Sequence, residues 1–177
     1  MLFWLFLVST NWFLSSPLLP SGGNGETVID SMQLAAQTRP WLLNRQRPAV
    51  QLALTTLQSR TYRADHRYTL CFDSVRLSTN PDGVYEVYLA KQATPISHLK
   101  PNSPAFVGVL DTYQLTAPAN TQTLCLDATE AVRQGGSALL NRCFVSIVFR
   151  GNKGPTGQLA QESGKLSGGR IRLGSVG

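Results

Sequence analysis

Two histidines, three cysteines and a scatter of carboxylates and hydroxyls make up the chemistry-bearing material of this 177-residue chain. His66 and His98 stand far apart with no HxxxH spacing, so neither is read as a metal ligand and each is expected on a surface or in a loop. Cys71, Cys125 and Cys143 are widely spaced and form no CxxC pair, which excludes the usual zinc frameworks. Each sits between apolar neighbours (Leu70-Cys71-Phe72, Leu124-Cys125-Leu126, Arg142-Cys143-Phe144), where a buried thiol behaves as a small hydrophobe. In an exported chain two of the three could pair, and spacing does not choose which. Ser97, His98 and Asp111 supply the residue types of a hydrolytic triad, but no GxSxG elbow presents the serine. The run Gly151-Asn152-Lys153-Gly154-Pro155-Thr156-Gly157 has the glycine density of a phosphate loop without the GxxxxGK(S/T) order, so it reads as a flexible loop. Asp127 and Glu130 are accounted for by helix capping. No catalytic, cofactor-binding or metal-ligating residue is therefore assigned, and no cofactor is expected.

The elements that would position any site follow from periodicity. Leu70, Phe72, Val75 and Leu77 precede the turn Asn80-Pro81-Asp82-Gly83, and Val84, Tyr85, Val87, Tyr88 and Leu89 follow it, which predicts a β-hairpin with Gly83 at positive φ. Strands are predicted at Tyr68 to Leu77, Val84 to Ala90, Ala105 to Asp111, Thr121 to Leu126, Cys143 to Arg150 and Gly169 to Leu173. A helix of about two turns is predicted between the fourth and fifth, opened by Asp127 to Glu130 and closed by Gly135-Gly136. Residues 152–169 read as a mobile loop. Ahead of the strands, Thr27 to Gln37 and Pro48 to Ser59 are read as two helices. The expected division is an apolar segment and glycine-rich linker over 1–25, a helical lead-in over 26–61 and a β-sandwich domain over 62–177.

The net charge of +6 comes from dispersed arginines, with no clustered basic run, so a nucleic-acid partner is not expected. Met1 to Leu7 begins an apolar run that continues through Trp12-Phe13-Leu14 to Leu18-Leu19 and is similar to a signal peptide's apolar region. No Lys or Arg precedes it, and Ser9-Thr10-Asn11 makes it too polar for a span of ~20 residues. An exported or anchored chain is the expectation, touching a membrane only through Met1 to Leu19 if these are retained. A hydrophobic tail left by truncation or by a misplaced start is the alternative.

An ordered set of tracts carries a family resemblance. Asp73-Ser74-Val75, Tyr85-Glu86-Val87-Tyr88-Leu89, Phe106-Val107-Gly108, Leu124 to Glu130, Val145 to Gly151 and Gly168-Gly169-Arg170-Ile171-Arg172-Leu173 follow one another over residues 68 to 174. Together they resemble the C-terminal domain of plant-type polyphenol oxidases and tyrosinases. The resemblance implies a mainly β, jelly-roll-like antiparallel β-sandwich with one short helix, here preceded by the helical lead-in. It also implies a shielding role: in that family the domain sits over a dicopper centre and holds the enzyme latent, with a side chain plugging the substrate entrance.

A type 3 copper pair needs about six imidazoles, because neutral nitrogen ligands suit both copper redox states. With only His66 and His98, oxidase activity from this chain is rejected, and a catalytic domain is expected to be missing. The expected partner is a tyrosinase-like copper oxidase covered in trans. No motif fixes the plug. The Pro-punctuated stretch Thr94 to Pro104, with Ile96, His98 and Leu99, is the candidate partner-binding loop because it has no evident core role, and Phe106 is the second choice. Two other readings stand beside this one: a cell-envelope binding or assembly module, and the remnant of a truncated polyphenol oxidase gene.

Overall fold

The computed structural model describes residues 31–56, 61–78, 83–112, 115, 121–151 and 164–177. The apolar N-terminal run, residues 27–30 of the first expected helix, turn residues 80–82 and residues 152–163 of the glycine-rich loop lie outside these. The strands are β1 (Ser31–Gln37), β2 (Trp41–Leu43), β3 (Ala49–Thr56), β4 (Arg67–Leu77), β5 (Gly83–Ala90), β6 (Phe106–Leu110), β7 (Gln122–Asp127), β8 (Cys143–Gly151), β9 (Leu166–Gly168) and β10 (Ile171–Val176). Helix α1 (Thr129–Asn141) lies between β7 and β8, and a 3₁₀ turn spans Ile96–His98. Neighbours run β2-β9-β4-β10-β1-β3-β8-β5-β6, with β7 paired to the other edge of β4, and the pairings are antiparallel. Among the described residues, no helix is long and apolar enough to cross a membrane.

Strand β1 meets β3 only over Ala35↔Thr56 and Ala36↔Thr55, just past a bulge between Gln33 and Ala35. This short junction joins β3, β8, β5 and β6 to β1, β10, β4 and β7, giving the β-sandwich-like, mainly β architecture expected from sequence. Alternate residues of β4 (Tyr68, Leu70, Phe72), β5 (Tyr85, Val87, Leu89), β8 (Val145, Ile147, Phe149) and β10 (Ile171, Leu173) fill one core. Strand side chains alternate faces, so each strand sends every second residue inward.

The helical lead-in is a correction: over the described residues of 26–61 the chain forms β1, β2 and β3. Met32, Leu34 and Ala36, and likewise Val50, Leu52 and Leu54, recur every second position, which is the strand period; the helical reading gave that spacing too little weight. The hairpin is a second correction. Strand β4 pairs with β10, β7 and β9, whereas β5 pairs with β8 and β6, so the two strands flanking the turn signal are not partners. Both strands are apolar on a core-facing side, and each satisfies its backbone with other neighbours. Gly83 owes its place to close approach: a Cβ there would collide with the Arg150 carbonyl across the β5–β8 pair.

Helix α1 does bend at the glycine pair, where Gly136 adopts φ 59°, a left-handed value suited to glycine. It nevertheless continues to Asn141, because Leu139 and Leu140 beyond the bend are buried. Within the expected mobile loop, residues 166–168 form β9, where Leu166 is buried opposite Leu43 and Leu77. Trp41 lies so close over Gly168 that any Cβ would meet its indole.

The three thiols resolve into a pair and a single. Cys71 and Cys125 face each other across β4 and β7 with Cα atoms 4.1 Å apart and form a disulfide. Cys143 is free and buried, and desolvation pushes its thiol up to about 12, so it is a packing residue and a poor nucleophile.

Tyr85 is fully buried. Tyr85→Asp should lower stability by ~3–5 kcal/mol, since it removes a large core ring and buries a charge, and the denaturant midpoint reads this out. Reducing the Cys71–Cys125 bond, which closes 54 residues of sequence, should cost about 4 kcal/mol, measured by urea unfolding with and without a reductant.

Candidate functional site

The candidate partner loop lies against the outer face of β5 and β8. That face carries Glu86 and Tyr88 from β5 and Val148 and Arg150 from β8, of which only Arg150 is half-exposed, the other three being buried beneath the loop. Glu86 is only 7% exposed, and a carboxylate so placed must be paired. Its Oε2 accepts from the Tyr88 hydroxyl at 2.5 Å and from Arg150 Nε at 2.8 Å. Arg150 also donates through Nη2 to the Leu99 carbonyl at 2.7 Å, which ties the loop to the sheet. Burial, reinforced by the neighbouring Glu86, pushes the Tyr88 hydroxyl up to about 12, so it stays a hydrogen-bond donor. Gln51 adds a second tie, donating to the Thr94 carbonyl at 3.1 Å and to Ser146 Oγ at 2.8 Å.

On this frame Tyr88, Leu99 and Val148 form a small apolar cluster, with Ala49, Ile96, Ala105 and Phe106 packed against it. Three of the four candidate residues are thus brought together: Leu99 is buried, Ile96 and Phe106 are half-buried, and the Phe106 ring meets Tyr88 edge-on at 5.5 Å. His98 stands apart, exposed in the 3₁₀ turn beside Ser97 and Lys100, which are exposed too. The loop therefore has a packed underside and a polar outer tip. Sequence reading missed Glu86, Tyr88 and Arg150. The available signal was a lone acid and a lone base, each inside a run of β-forming residues; the register sets Glu86 opposite Val148, two positions from Arg150.

A second charged group marks the β4 bulge. Arg170 and Arg172 both bond Asp73, at 3.0 and 2.8 Å, and Ser74 beside it has φ 55°. The Arg172 hydrogen bond leads in holding the Asp73 carboxyl below its usual value, against the opposing effect of burial. The capping reading is corrected in detail: the N-cap of α1 is Ala128, without a side-chain cap, and Asp127 ahead of it accepts the Thr129 backbone N–H at 2.8 Å. Glu130 pairs instead with Arg133 and Gln134 on the helix surface. Among the described residues, no group of three or more His, Cys, Asp or Glu side chains gathers where it could hold a metal ion.

No protein-family model matches the chain, and no curated protein matches it in sequence. Solved structures do match. Latent apple tyrosinase is similar with a TM-score of 0.51 at 12% identity, over 76% of this chain and 27% of that one. A recombinantly expressed latent aurone synthase, a polyphenol oxidase, is similar with a TM-score of 0.49 at 13% identity, over 73% of this chain and 24% of that one. The chain spans about a quarter of the length of the solved structures it matches. At such identity the likeness is one of fold, and it is the fold that the ordered tracts of the sequence implied.

Arg150→Ala should leave Glu86 buried without its cation. We expect a loss of about 2 kcal/mol, less than the ~3–5 of a fully buried pair because the Arg150 side chain is 38% exposed. Amide exchange at Leu99 should quicken in the same variant, since Arg150 is the donor that holds that carbonyl.

Proposed function

We propose that this chain is a non-catalytic β-sandwich module that covers or stabilises a tyrosinase-like type 3 copper oxidase in trans. The observation that carries the reading is the shared fold with a portion, about a quarter, of latent apple tyrosinase. The loop presents its exposed tip around His98 as the proposed contact surface, with Ile96, Leu99 and Phe106 packed beneath it as support. Its underside is locked to the sheet by Arg150 and Gln51, so its tip meets a partner preorganised, which lowers the ordering cost of binding. The Cys71–Cys125 bond supports work in an oxidising compartment.

The test uses the purified chain and a tyrosinase-type oxidase encoded beside its gene. Saturable, near-equimolar inhibition of phenol oxidation is expected, with His98→Glu weakening it and leaving the thermal midpoint unchanged. The isolated chain should oxidise no phenol. A chain that neither binds nor inhibits the oxidase, or one that is itself active with copper, overturns the reading.

A further inference from the structure

Cys71 and Cys125 stand directly opposite each other on β4 and β7, and their disulfide lies on the side of those strands that faces away from the core. Leu70 and Phe72 flank Cys71 and are fully buried, so the alternation of the strand turns the sulfur outward. Along β7 half-buried and exposed residues alternate, and Cys125 shares the exposed side with Thr123 and Asp127. Cys71 is half-buried. A disulfide enclosed in a core is screened from reductants, whereas an exposed one is open to attack by a thiolate.

The two sulfurs have unequal surroundings. Arg172 of β10 is the register partner of Cys71 on its other edge, so Arg172, Cys71 and Cys125 form a row across three strands on one face. Arg172 and Cys71 also border one hollow of about 240 Å³, together with Thr69 and Gly174. Asp73 holds Arg172 there, accepting from its Nε and its Nη2 at 2.8 Å each. Arg170 bonds the same carboxylate at 3.0 Å, so two guanidiniums meet one acid and a positive balance is left on the Cys71 side. A neighbouring cation favours a thiolate, and a thiol that ionises more readily leaves a disulfide faster.

We propose that Cys71–Cys125 is a thiol-exchange site at which a dithiol reductant opens the bond while the protein stays folded. The reductant's thiolate attacks Sγ of the exposed Cys125. A new S–S bond forms there, the Cys71–Cys125 bond breaks, and its electron pair goes to Sγ of Cys71, beside Arg172. The reductant's second thiol, as a thiolate, then attacks its own sulfur in the mixed disulfide. Cys125 leaves as a thiolate and takes up a proton, the reductant departs as a cyclic disulfide, and two electrons have passed to the protein. In the opened form β7 is still held by its ladder to β4 and by the packing of Leu124 and Leu126 against the core. The site needs no partner protein, so its test is independent of the covering role.

The full chain is incubated with dithiothreitol in the absence of denaturant, pulsed at intervals with excess iodoacetamide, and mapped by mass spectrometry. A rate that rises in proportion to dithiothreitol is expected, with Cys71 and Cys125 alkylated and the buried Cys143 untouched. Arg172→Gln should slow reduction by about twofold or more, because the leaving thiolate loses its cation, and Arg172→Lys should keep most of the rate. A purely structural Arg172 would act in the opposite sense, its loss loosening β4 and speeding reduction. Should Arg172→Gln fail to fold, the dependence on dithiothreitol in the unaltered chain still decides. A rate that levels off at the rate of unfolding, alkylation of all three cysteines together, or an Arg172→Gln variant reduced no more slowly than the unaltered chain overturns the proposal.

Discussion

Strand β4 imposes the constraint that everything else meets, because its backbone must be paired on both edges while its side chains are buried. Tyr68, Leu70 and Phe72 face the core, each contributing about 1.5–3 kcal/mol if fully buried. One edge over Arg67 to Phe72 is taken by β10, the other by β7, and β9 takes the two residues beyond the bulge. Asp73 and Ser74 shift the register so that Val75 and Leu77 still point inward. The two arginines on Asp73 secure that shift, and the Cys71–Cys125 bond secures the edge that β7 occupies.

On such a scaffold the outer face of β5 and β8 is covered by the stretch that carries Ile96, Leu99 and Phe106. On that face, Glu86 and Arg150 order a loop whose tip is polar. The reactive types are spent elsewhere: one thiol is buried, two are joined, and His98 stands exposed without a metal-binding neighbour group among the described residues.

Much of this was legible in the chain because its strands are short runs of β-forming residues, alternating cleanly in β4, β7 and β10. From β4 to β8 short runs rich in β-branched and aromatic residues stand between turn signals, and their bounds fall within a residue or two of the expected ones. Residues 31–56 were misread because Ala and Leu suit helices as well as strands, and Pro48 suits a first helical position; the spacing of Val50, Leu52 and Leu54 was the better guide. The turn at Asn80 to Gly83 signalled a reversal but not a partner, since local turn chemistry says nothing of which strand will pair with which. The disulfide pair and the Glu86–Arg150 contact needed the register itself, and register is set by long-range packing that no short window contains.

The central claim is that residues 31–56 belong to the same sheet as the strands that follow. Native-state amide exchange on the isolated chain tests it most directly. Slow exchange at Ala35, Ala36, Leu52 and Leu54, matching that of Leu70 and Ile147, is the predicted result. Rapid exchange throughout 31–56 beside protected β4 and β8 would contradict it.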